Sequence, residues 1–226
     1  MRSRIIAVAA AVVGVSLAAT ACTQTASSSP ASVAGDIRAA YSPARAEQPA
    51  PPGGAAGRHK AMAALPTGKR IFGTGCGILH RRGPGSAAAL ATAPVAAALS
   101  QAPALSQLAQ AIRLAGLTSM LNSARALTVF APDDAAFDYL GAGNLQALLA
   151  TRPDLVRVLK FHLVAGRVTP AELAKRHVFT TVAGTKLYLA RFGQTLGVNN
   201  AAVTCGNVQT SNATVYIVNR LIIPVG

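Results

Sequence analysis

Apolar periodicity begins only near residue 92, and this division of the chain most constrains what it can fold into. Residues 23–91 are rich in Ala, Ser, Pro and Gly and carry almost no periodic apolar pattern, which is typical of a flexible tether. The remaining stretch of about 135 residues is long enough for one domain with a hydrophobic core. The sequence therefore predicts one folded domain behind a tether, whose end is ordered around Cys76 if a disulfide holds it there.

The N-terminus has the pattern of an export signal. A basic segment, residues 1–4, precedes an uncharged apolar run of about fifteen residues, which is too short to span a bilayer comfortably. Small residues follow, so residues 1–21 are predicted to be a secretory signal peptide. The next residue is Cys22, and Ala-Thr-Ala-Cys resembles a bacterial lipobox, although Ala19 stands where leucine is usual. We expect a lipid anchor on Cys22, with cleavage to a soluble protein as the alternative.

The chain has three cysteines: Cys22, Cys76 and Cys205. If Cys22 carries lipid, an even pair remains, and in an exported protein such a pair is most simply a disulfide. Two free thiols are the alternative. The wide separation of the pair and the absence of a Cys-x-x-Cys motif make zinc binding a poor explanation.

The formal net charge of +14 is spread along the chain. Residues 23–91 have eight Lys or Arg and two acids, and residues 92–226 have eleven and five. No run exceeds two basic residues and no aromatic residues are interleaved with them, so we expect no nucleic-acid binding. Attraction to anionic envelope polymers or lipid headgroups is a weaker alternative.

The domain opens with helical patterns. Pro103 fits a first helical position, Leu105, Leu108 and Ile112 lie on one face of the predicted helix, and Gly116 is placed to end it. Such a stripe is more often core than a groove for a partner. Further along, Asn144 and a Thr169–Glu172 capping box are predicted to start two more helices.

The segment TVFAPDDAAF, residues 128–137, places two adjacent carboxylates between apolar stretches. Its β-branched and bulky start suits a buried strand, and Pro132 stops strand pairing. Asp133 or Asp134 is then predicted to cap a helix in which Phe137 faces the core. No third acid, metal-spaced histidine or nearby base accompanies the pair, so neither a catalytic pair nor a metal site is expected.

From residue 178 onward the sequence turns β-like. Alternating or continuous apolar runs separated by glycine-containing turns predict strands at residues 178–182, 186–190, 201–204 and 214–223, with a turn at residues 205–207. Helices that come first and strands that come later indicate an α+β domain with a β-sandwich-like wedge.

These segments resemble the conserved blocks of the fasciclin (FAS1) domain. Residues 128–137 are similar to the first block, residues 160–166 to the Tyr-His block with a phenylalanine in the Tyr position, and residues 212–224 to a long final block that contains a buried strand ending in proline. The block residues, to which the resemblance assigns structural roles, are Thr128, Phe130, Pro132, Asp133, Asp134, Phe137, Phe161, His162, Tyr216 and Pro224.

The resemblance implies an α+β FAS1 domain over residues 74–226, with helices packed on the wedge, behind a lipidated N-terminus and tether over residues 22–73. It is nearest to small bacterial exported proteins with one FAS1 domain, among them secreted antigens and cell-surface lipoproteins. In those proteins a cysteine before the first helix pairs with one before the last strand, which implies a Cys76–Cys205 disulfide here.

His162 has two interpretations. It is either a catalytic base or ligand, or a buried histidine that bonds to a backbone group or to the Asp133–Asp134 turn. We favour the structural interpretation because no nucleophile is evident and the resemblance treats this position as structural.

The sequence predicts an interaction protein with no catalytic residue, no metal and no cofactor. It is expected outside the cytoplasm, anchored to the membrane by lipid, at the cell surface or secreted. Its expected partners are the membrane, through the anchor, and an unknown extracellular or envelope protein or glycan. The alternatives are an envelope carrier or sensor with an apolar pocket between helices and wedge, and a hydrolase with an unrecognised site.

Overall fold

The computed structural model of the protein describes residue 68, residues 70–192 and residues 195–224. The predicted signal peptide of residues 1–21, the predicted lipid site Cys22 and the predicted tether up to residue 67 lie outside the described residues. The described part comprises the domain and the last residues of the predicted tether.

Helices occupy most of the first half of the described domain, and two of them are short 3₁₀-helices, Thr74–Ile78 and Pro103–Leu105. The α-helices are α1 (Ala87–Thr92), α2 (Val95–Gln101), α3 (Ser106–Ala115), α4 (Thr118–Ser123), α5 (Asp134–Leu140), α6 (Ala142–Ala150), α7 (Arg152–Phe161) and α8 (Pro170–Lys175).

The predicted amphipathic helix is confirmed as α3. Its Leu108 and Ile112 are buried, and the helix ends at Gly116, whose φ of 71° lies in the left-handed region that glycine adopts without strain. The predicted capping box of α8 is also confirmed, because the Thr169 side chain accepts from the Glu172 N–H while the Glu172 carboxylate accepts from the Thr169 N–H.

Seven strands form one sheet in the order β2-β1-β7-β6-β5-β4-β3. Their bounds are β1 (Leu127–Pro132), β2 (Leu163–Ala165), β3 (Val178–Thr180), β4 (Lys186–Phe192), β5 (Thr195–Val198), β6 (Ala201–Gln209) and β7 (Ala213–Val218). Only the β1–β7 pair among them is parallel. A bridge between Val164 and Thr181 brings the two ends together, so the sheet nearly closes. Helices packed on this wedge confirm the predicted α+β class.

The core has two parts that share the central strands. Alternate residues of β1 face opposite sides, so Val129 and Ala131 pack with the helices while Phe130 packs inside the wedge. In β7, Val215 and Ile217 face the helices, and Tyr216 and Val218 face the wedge interior. The wedge interior is completed by Phe161, Val164, Val168, Leu173, Phe179, Leu187, Leu189, Leu196, Val198, Ala201, Val203 and Ile222.

The predicted turn at residues 205–207 is wrong, because β6 runs through it to Gln209. Register shifts against β7 occur on both sides of Cys205, so β-bulges absorb the extra residues without ending the strand. Asn207 has a φ of 63°, a left-handed conformation that asparagine tolerates both in turns and in bulges. Turn-forming residues therefore mark a bulge here.

Two other local predictions are also wrong. β7 ends at Val218 and does not continue to Pro224, because the N–H of Ile222 donates to the His162 ring and not to a neighbouring strand. Helix α6 begins two residues before Asn144, whose side chain instead donates to the carbonyl of Leu140 at the end of α5.

The segment ahead of α1 is fastened to β6. Cys76 and Cys205 form a disulfide with Cα atoms 4.7 Å apart and a sequence separation of 129 residues. In the chain-entropy model, closing so long a loop is worth about 4–5 kcal/mol. Phe72 and Gly206 also exchange two backbone hydrogen bonds, at 3.1 and 2.7 Å. A Cβ atom on Gly206 would lie 2.4 Å from the Phe72 ring, so the close approach requires glycine.

Residues before the predicted domain boundary at residue 74 also contact the domain. The side-chain amide of Asn207 donates to the carbonyls of Gly68 and Arg70, at 2.9 and 3.0 Å. The Phe72 ring lies 6.4 Å, centroid to centroid, from the ring of buried Tyr216. These contacts, with the Phe72–Gly206 bridge, hold residue 68 and residues 70–72 against β6 and the wedge core ahead of α1.

Candidate functional site

The two adjacent carboxylates cap two different helices. Asp133 accepts a hydrogen bond from the Ala136 N–H at 2.9 Å and is the N-cap of α5, as predicted. Burial raises the pKa of Asp133 above its usual value, the Ala136 hydrogen bond opposes this shift, and the charge of Asp134 adds to it. Asp133 is therefore engaged at the start of α5.

Asp134 serves the other helix. Its carboxylate accepts from the Gln107 N–H at 2.9 Å and from the Ser106 hydroxyl at 2.7 Å, both in the first turn of α3. The residue that precedes α3, Leu105, offers no side-chain cap. Asp134 thus supplies, from elsewhere in the chain, the acceptor and the negative charge that the start of α3 needs.

His162 is a neutral tie between α7 and the C-terminal segment. Its Nε2 accepts from the Ile222 N–H at 2.9 Å, so Nδ1 carries the proton and donates to the Val158 carbonyl at 2.9 Å. Burial lowers the pKa of His162 to about 4, partly opposed by the Val158 hydrogen bond. Both ring nitrogens are therefore bonded to backbone groups.

Thr128 and Tyr216 hold the loop that follows β2. The Thr128 hydroxyl donates to the Gly166 carbonyl at 2.7 Å and accepts from the Val168 N–H at 2.8 Å. The Tyr216 hydroxyl donates to the Val168 carbonyl at 2.8 Å, and burial raises the pKa of that hydroxyl well above its usual value. These two polar groups thus satisfy a backbone segment that has no strand partner at that point.

The remaining block residues provide packing. Phe130 and Phe161 lie inside the wedge, where the Phe130 ring stacks on Tyr216 with centroids 5.7 Å apart. Phe137 belongs to the helical part of the core, Pro132 ends β1, and Pro224 is buried beyond the end of β7.

Sequence reasoning missed the role of Asn212. Its side-chain oxygen accepts from the Val95 N–H at 2.8 Å, and its amide donates to the carbonyls of Leu121 and Ala124 at 2.8 and 2.9 Å. One side chain therefore joins the start of α2 to the end of α4 just before β7. The signal in the sequence is a polar residue placed immediately ahead of a fully buried strand.

The cavity beside His162 is too small for a ligand. The cavity between α3, α7 and β1, lined by His162 and Phe130 among others, has a volume of about 10 Å³, which is at most about one water. Pockets for small molecules measure about 300–1,000 Å³. Within the described part of the chain, no three His, Cys, Asp or Glu side chains are placed to hold a metal ion.

An open groove lies on the surface beside the disulfide-fastened segment. Its volume is about 860 Å³. Its walls are the segment at Arg70 and Ile71, one face of α1, and the end of β6 with the turn that follows it. Arg167 projects into the groove from the loop after β2, and its guanidinium donates to the Gln209 side chain and to the carbonyls of Thr210 and Ser211, at 3.0, 2.8 and 2.6 Å.

A second surface feature is the outer face of the β3–β4 hairpin. Val178 and Tyr188 are direct cross-strand partners, and 39% and 55% of their respective surfaces are exposed. Their neighbours in sequence, Phe179 and Leu187, point to the wedge interior. Thr180 and Lys186 form the next exposed pair, so this outer face combines apolar surface with a cation. We call it the hairpin face.

A search for membrane-crossing helices among the described residues finds none of sufficient length and apolar character.

Comparison with known proteins decides the family. The model of the Fasciclin domain matches residues 103–224, more than half of the chain. This chain belongs to the fasciclin family. That result confirms the resemblance seen in the three blocks and agrees with the α+β architecture.

Two mycobacterial relatives of this fasciclin protein are similar in sequence. The cell surface glycolipoprotein MPB83 of Mycobacterium bovis is 34% identical over 162 residues, which cover 68% of this chain and 72% of the relative. The immunogenic protein MPB70 of the same species is 38% identical over 108 residues, or 48% of this chain and 54% of the relative. Among solved structures, a FAS1 domain pair from the insect cell adhesion molecule Fasciclin I matches with 21% identity and a TM-score of 0.45, over 53% of this chain and 45% of that one.

The low pKa of His162 predicts a loss of stability in mild acid. In the unfolded chain this histidine binds its proton near pH 6.5, whereas in the folded protein it does so only near pH 4. The unfolded state therefore binds more protons between these values, and the free energy of unfolding falls as pH drops from about 6.5 to about 4, by about 3 kcal/mol. Asp133, with its raised pKa, acts in the opposite direction near the acid end of this range.

Urea unfolding at a series of pH values measures this effect. His162→Gln serves as the comparison, because it removes the titrating ring while the carboxylates stay. We expect the variant to be less stable at pH 7. Its free energy of unfolding should also fall less steeply than that of the wild type between pH 6.5 and pH 4. Equal slopes for the two proteins would exclude a neutral, buried His162 as the source.

Proposed function

We propose that this protein is an exported FAS1 interaction module that binds another macromolecule at the cell surface, and that it is not an enzyme. The observation that carries the proposal is the internal use of the polar block residues. Thr128, His162 and Tyr216 all bond to the protein's own backbone, so they offer no group to a substrate. Binding is then a property of the outer surface, which agrees with the adhesive role that FAS1 domains generally serve.

The carrier alternative is not proposed for the interior. It needs a pocket of several hundred Å³ between the helices and the wedge, whereas the cavity beside His162 is about 10 Å³. The hydrolase alternative lacks a geometric basis for the same residues, because the acids and the histidine of the blocks are committed to helix ends and backbone groups.

The proposed location is the outer side of the membrane, with Cys22 as the lipid attachment site. The signal-like N-terminus and the lipobox-like Ala-Thr-Ala-Cys support this location. The name of the relative MPB83, a cell surface glycolipoprotein, also supports it.

Cys22→Ala tests the anchor. Because acyl chains bury many methylene groups at about 0.8 kcal/mol each, the wild-type chain expressed in a bacterium should partition into detergent. The variant should appear in the aqueous phase or the culture medium. Detergent partitioning and intact mass measure both properties, and a variant that partitions into detergent like the wild type would refute lipid attachment at Cys22.

The hairpin face is the surface that we propose for a protein partner. Val178 and Tyr188 provide adjacent exposed apolar surface, and aromatic residues are frequent energetic centres of interfaces. Residues 175–190, which contain the hairpin, include Lys175, Arg176 and Lys186 and no Asp or Glu. The face therefore suits a partner with an acidic surface, which would also make association sensitive to salt.

A paired substitution tests this face. The soluble Cys22→Ala chain should bind envelope or host-surface fractions saturably, and adding Val178→Thr with Tyr188→Ser should weaken binding about tenfold or more. Tyr139→Ser is the matched control, because Tyr139 is 60% exposed but lies on α5, where the Arg220 guanidinium is 4.1 Å from its ring centroid.

Surface plasmon resonance on the captured fraction measures the affinities of the three proteins: the Cys22→Ala chain, its hairpin variant and the Tyr139→Ser control. Equal affinities for the hairpin variant and the wild type would remove the hairpin face as the binding surface. An equal loss of affinity in the Tyr139→Ser control would show that the weaker binding is not specific to the hairpin face.

A further inference from the structure

The groove beside α1 carries an inference that is independent of the hairpin face, with which it shares no residue. We propose that this groove binds an acidic oligosaccharide, that is, a sugar chain carrying carboxylate or phosphate groups, with Arg70 and Arg167 as the anion-binding residues. The volume of about 860 Å³ lies within the range of small-ligand sites.

The charged residues that line the groove are all positive. Its lining contains two arginines and no Asp or Glu. The acceptors that hold the Arg167 guanidinium are a side-chain amide oxygen and two backbone carbonyls, all neutral. They fix the position of the positive charge without cancelling it. Three of the five N–H donors of this guanidinium are used in these bonds, so it meets an anion with its charge and with single hydrogen bonds rather than with a free fork.

A chain of side-chain amides connects the two arginines across the groove. Arg167 donates to Gln209, whose amide donates to the Asn207 side-chain oxygen at 2.8 Å. Asn207 in turn donates to the backbone carbonyl of Arg70 at 3.0 Å. The positions of both walls are therefore coupled through fixed hydrogen bonds, and Asn207 itself is buried. The site is built before a ligand arrives, which lowers the entropic cost of binding.

The chemistry of the walls favours a sugar over a peptide. A peptide that added to the end of β6 would need free backbone groups, but the carbonyls of Asn207, Thr210 and Ser211 already accept bonds from Gln209 and Arg167. The α1 wall presents only the small side chains of its alanines, so it offers no pocket for an apolar side chain. An open groove with planar side-chain amides and two cations instead suits hydroxyl-rich, negatively charged chains.

Isothermal titration calorimetry on the full Cys22→Ala chain tests the proposal. The probes are hexagalacturonate and a phosphorylated oligomannoside, with neutral maltohexaose as the uncharged control and hexaglutamate as the acidic-peptide control. We expect saturable binding of at least one acidic sugar, weakening as salt rises, and at least tenfold weaker binding of maltohexaose and hexaglutamate.

Substitutions locate the site. Arg167→Gln should weaken binding of the acidic sugar at least tenfold, and Arg167→Lys should restore only part of it, because lysine keeps the charge but cannot make all three hydrogen bonds that fix its position. Arg70→Gln keeps the backbone carbonyl that Asn207 uses and should weaken binding at least fivefold, even where the Arg167 variants fail to fold. Arg157→Gln, on the exposed side of α7, is the matched control and should bind like the wild type.

Three results would overturn the proposal: no binding of either acidic sugar at millimolar concentration, equal or tighter binding of hexaglutamate or maltohexaose, or unchanged affinity in Arg70→Gln. Variants of the hairpin face should leave sugar binding unchanged. A failure here is therefore separable from a failure of the proposed protein-binding function.

Discussion

β1 and β7 pair in parallel along six residues at the centre of the sheet, and every residue of both strands is buried. One side of this pair supports the helices and the other side lines the wedge interior. The other strands and the helices are thus arranged around a central ribbon that has no solvent face. Parallel strands need a long connection, and here residues 133–212, which lie between β1 and β7 in the chain, supply it.

Backbone groups packed around these buried strands cannot hydrogen-bond to water. Each buried donor or acceptor that is left without a partner costs about 1–3 kcal/mol. Polar residues of the fasciclin blocks provide hydrogen-bond partners for these backbone groups. Thr128 and Tyr216 satisfy the loop after β2, His162 ties α7 to the segment after β7, and Asn212 joins two helices to the start of β7. The polar groups of these residues bond to the protein's own backbone, and the surfaces that we propose for binding are the hairpin face and the groove.

Local chemistry explains what the sequence could predict. A strand that stops at Pro132 and a carboxylate at the next helix end are encoded within ten residues, as are the capping box of α8 and the alternation that buries Leu187 and Leu189. The parts that failed depend on distant residues. β6 continues through its turn-like segment because Phe72 packs on Gly206 and bulges restore the register. The groove joins segments near residues 70, 88, 167 and 209, which no local pattern relates.

The most direct test of this division between interior and surface measures stability and binding in one variant. His162→Gln should lower the free energy of unfolding by about 2–4 kcal/mol, because two buried backbone groups lose their partner. At a temperature where circular dichroism shows the variant fully folded, its affinity for the surface fraction that the wild type binds should be unchanged within twofold. A folded variant that has lost binding would place His162 in the functional surface and contradict the account.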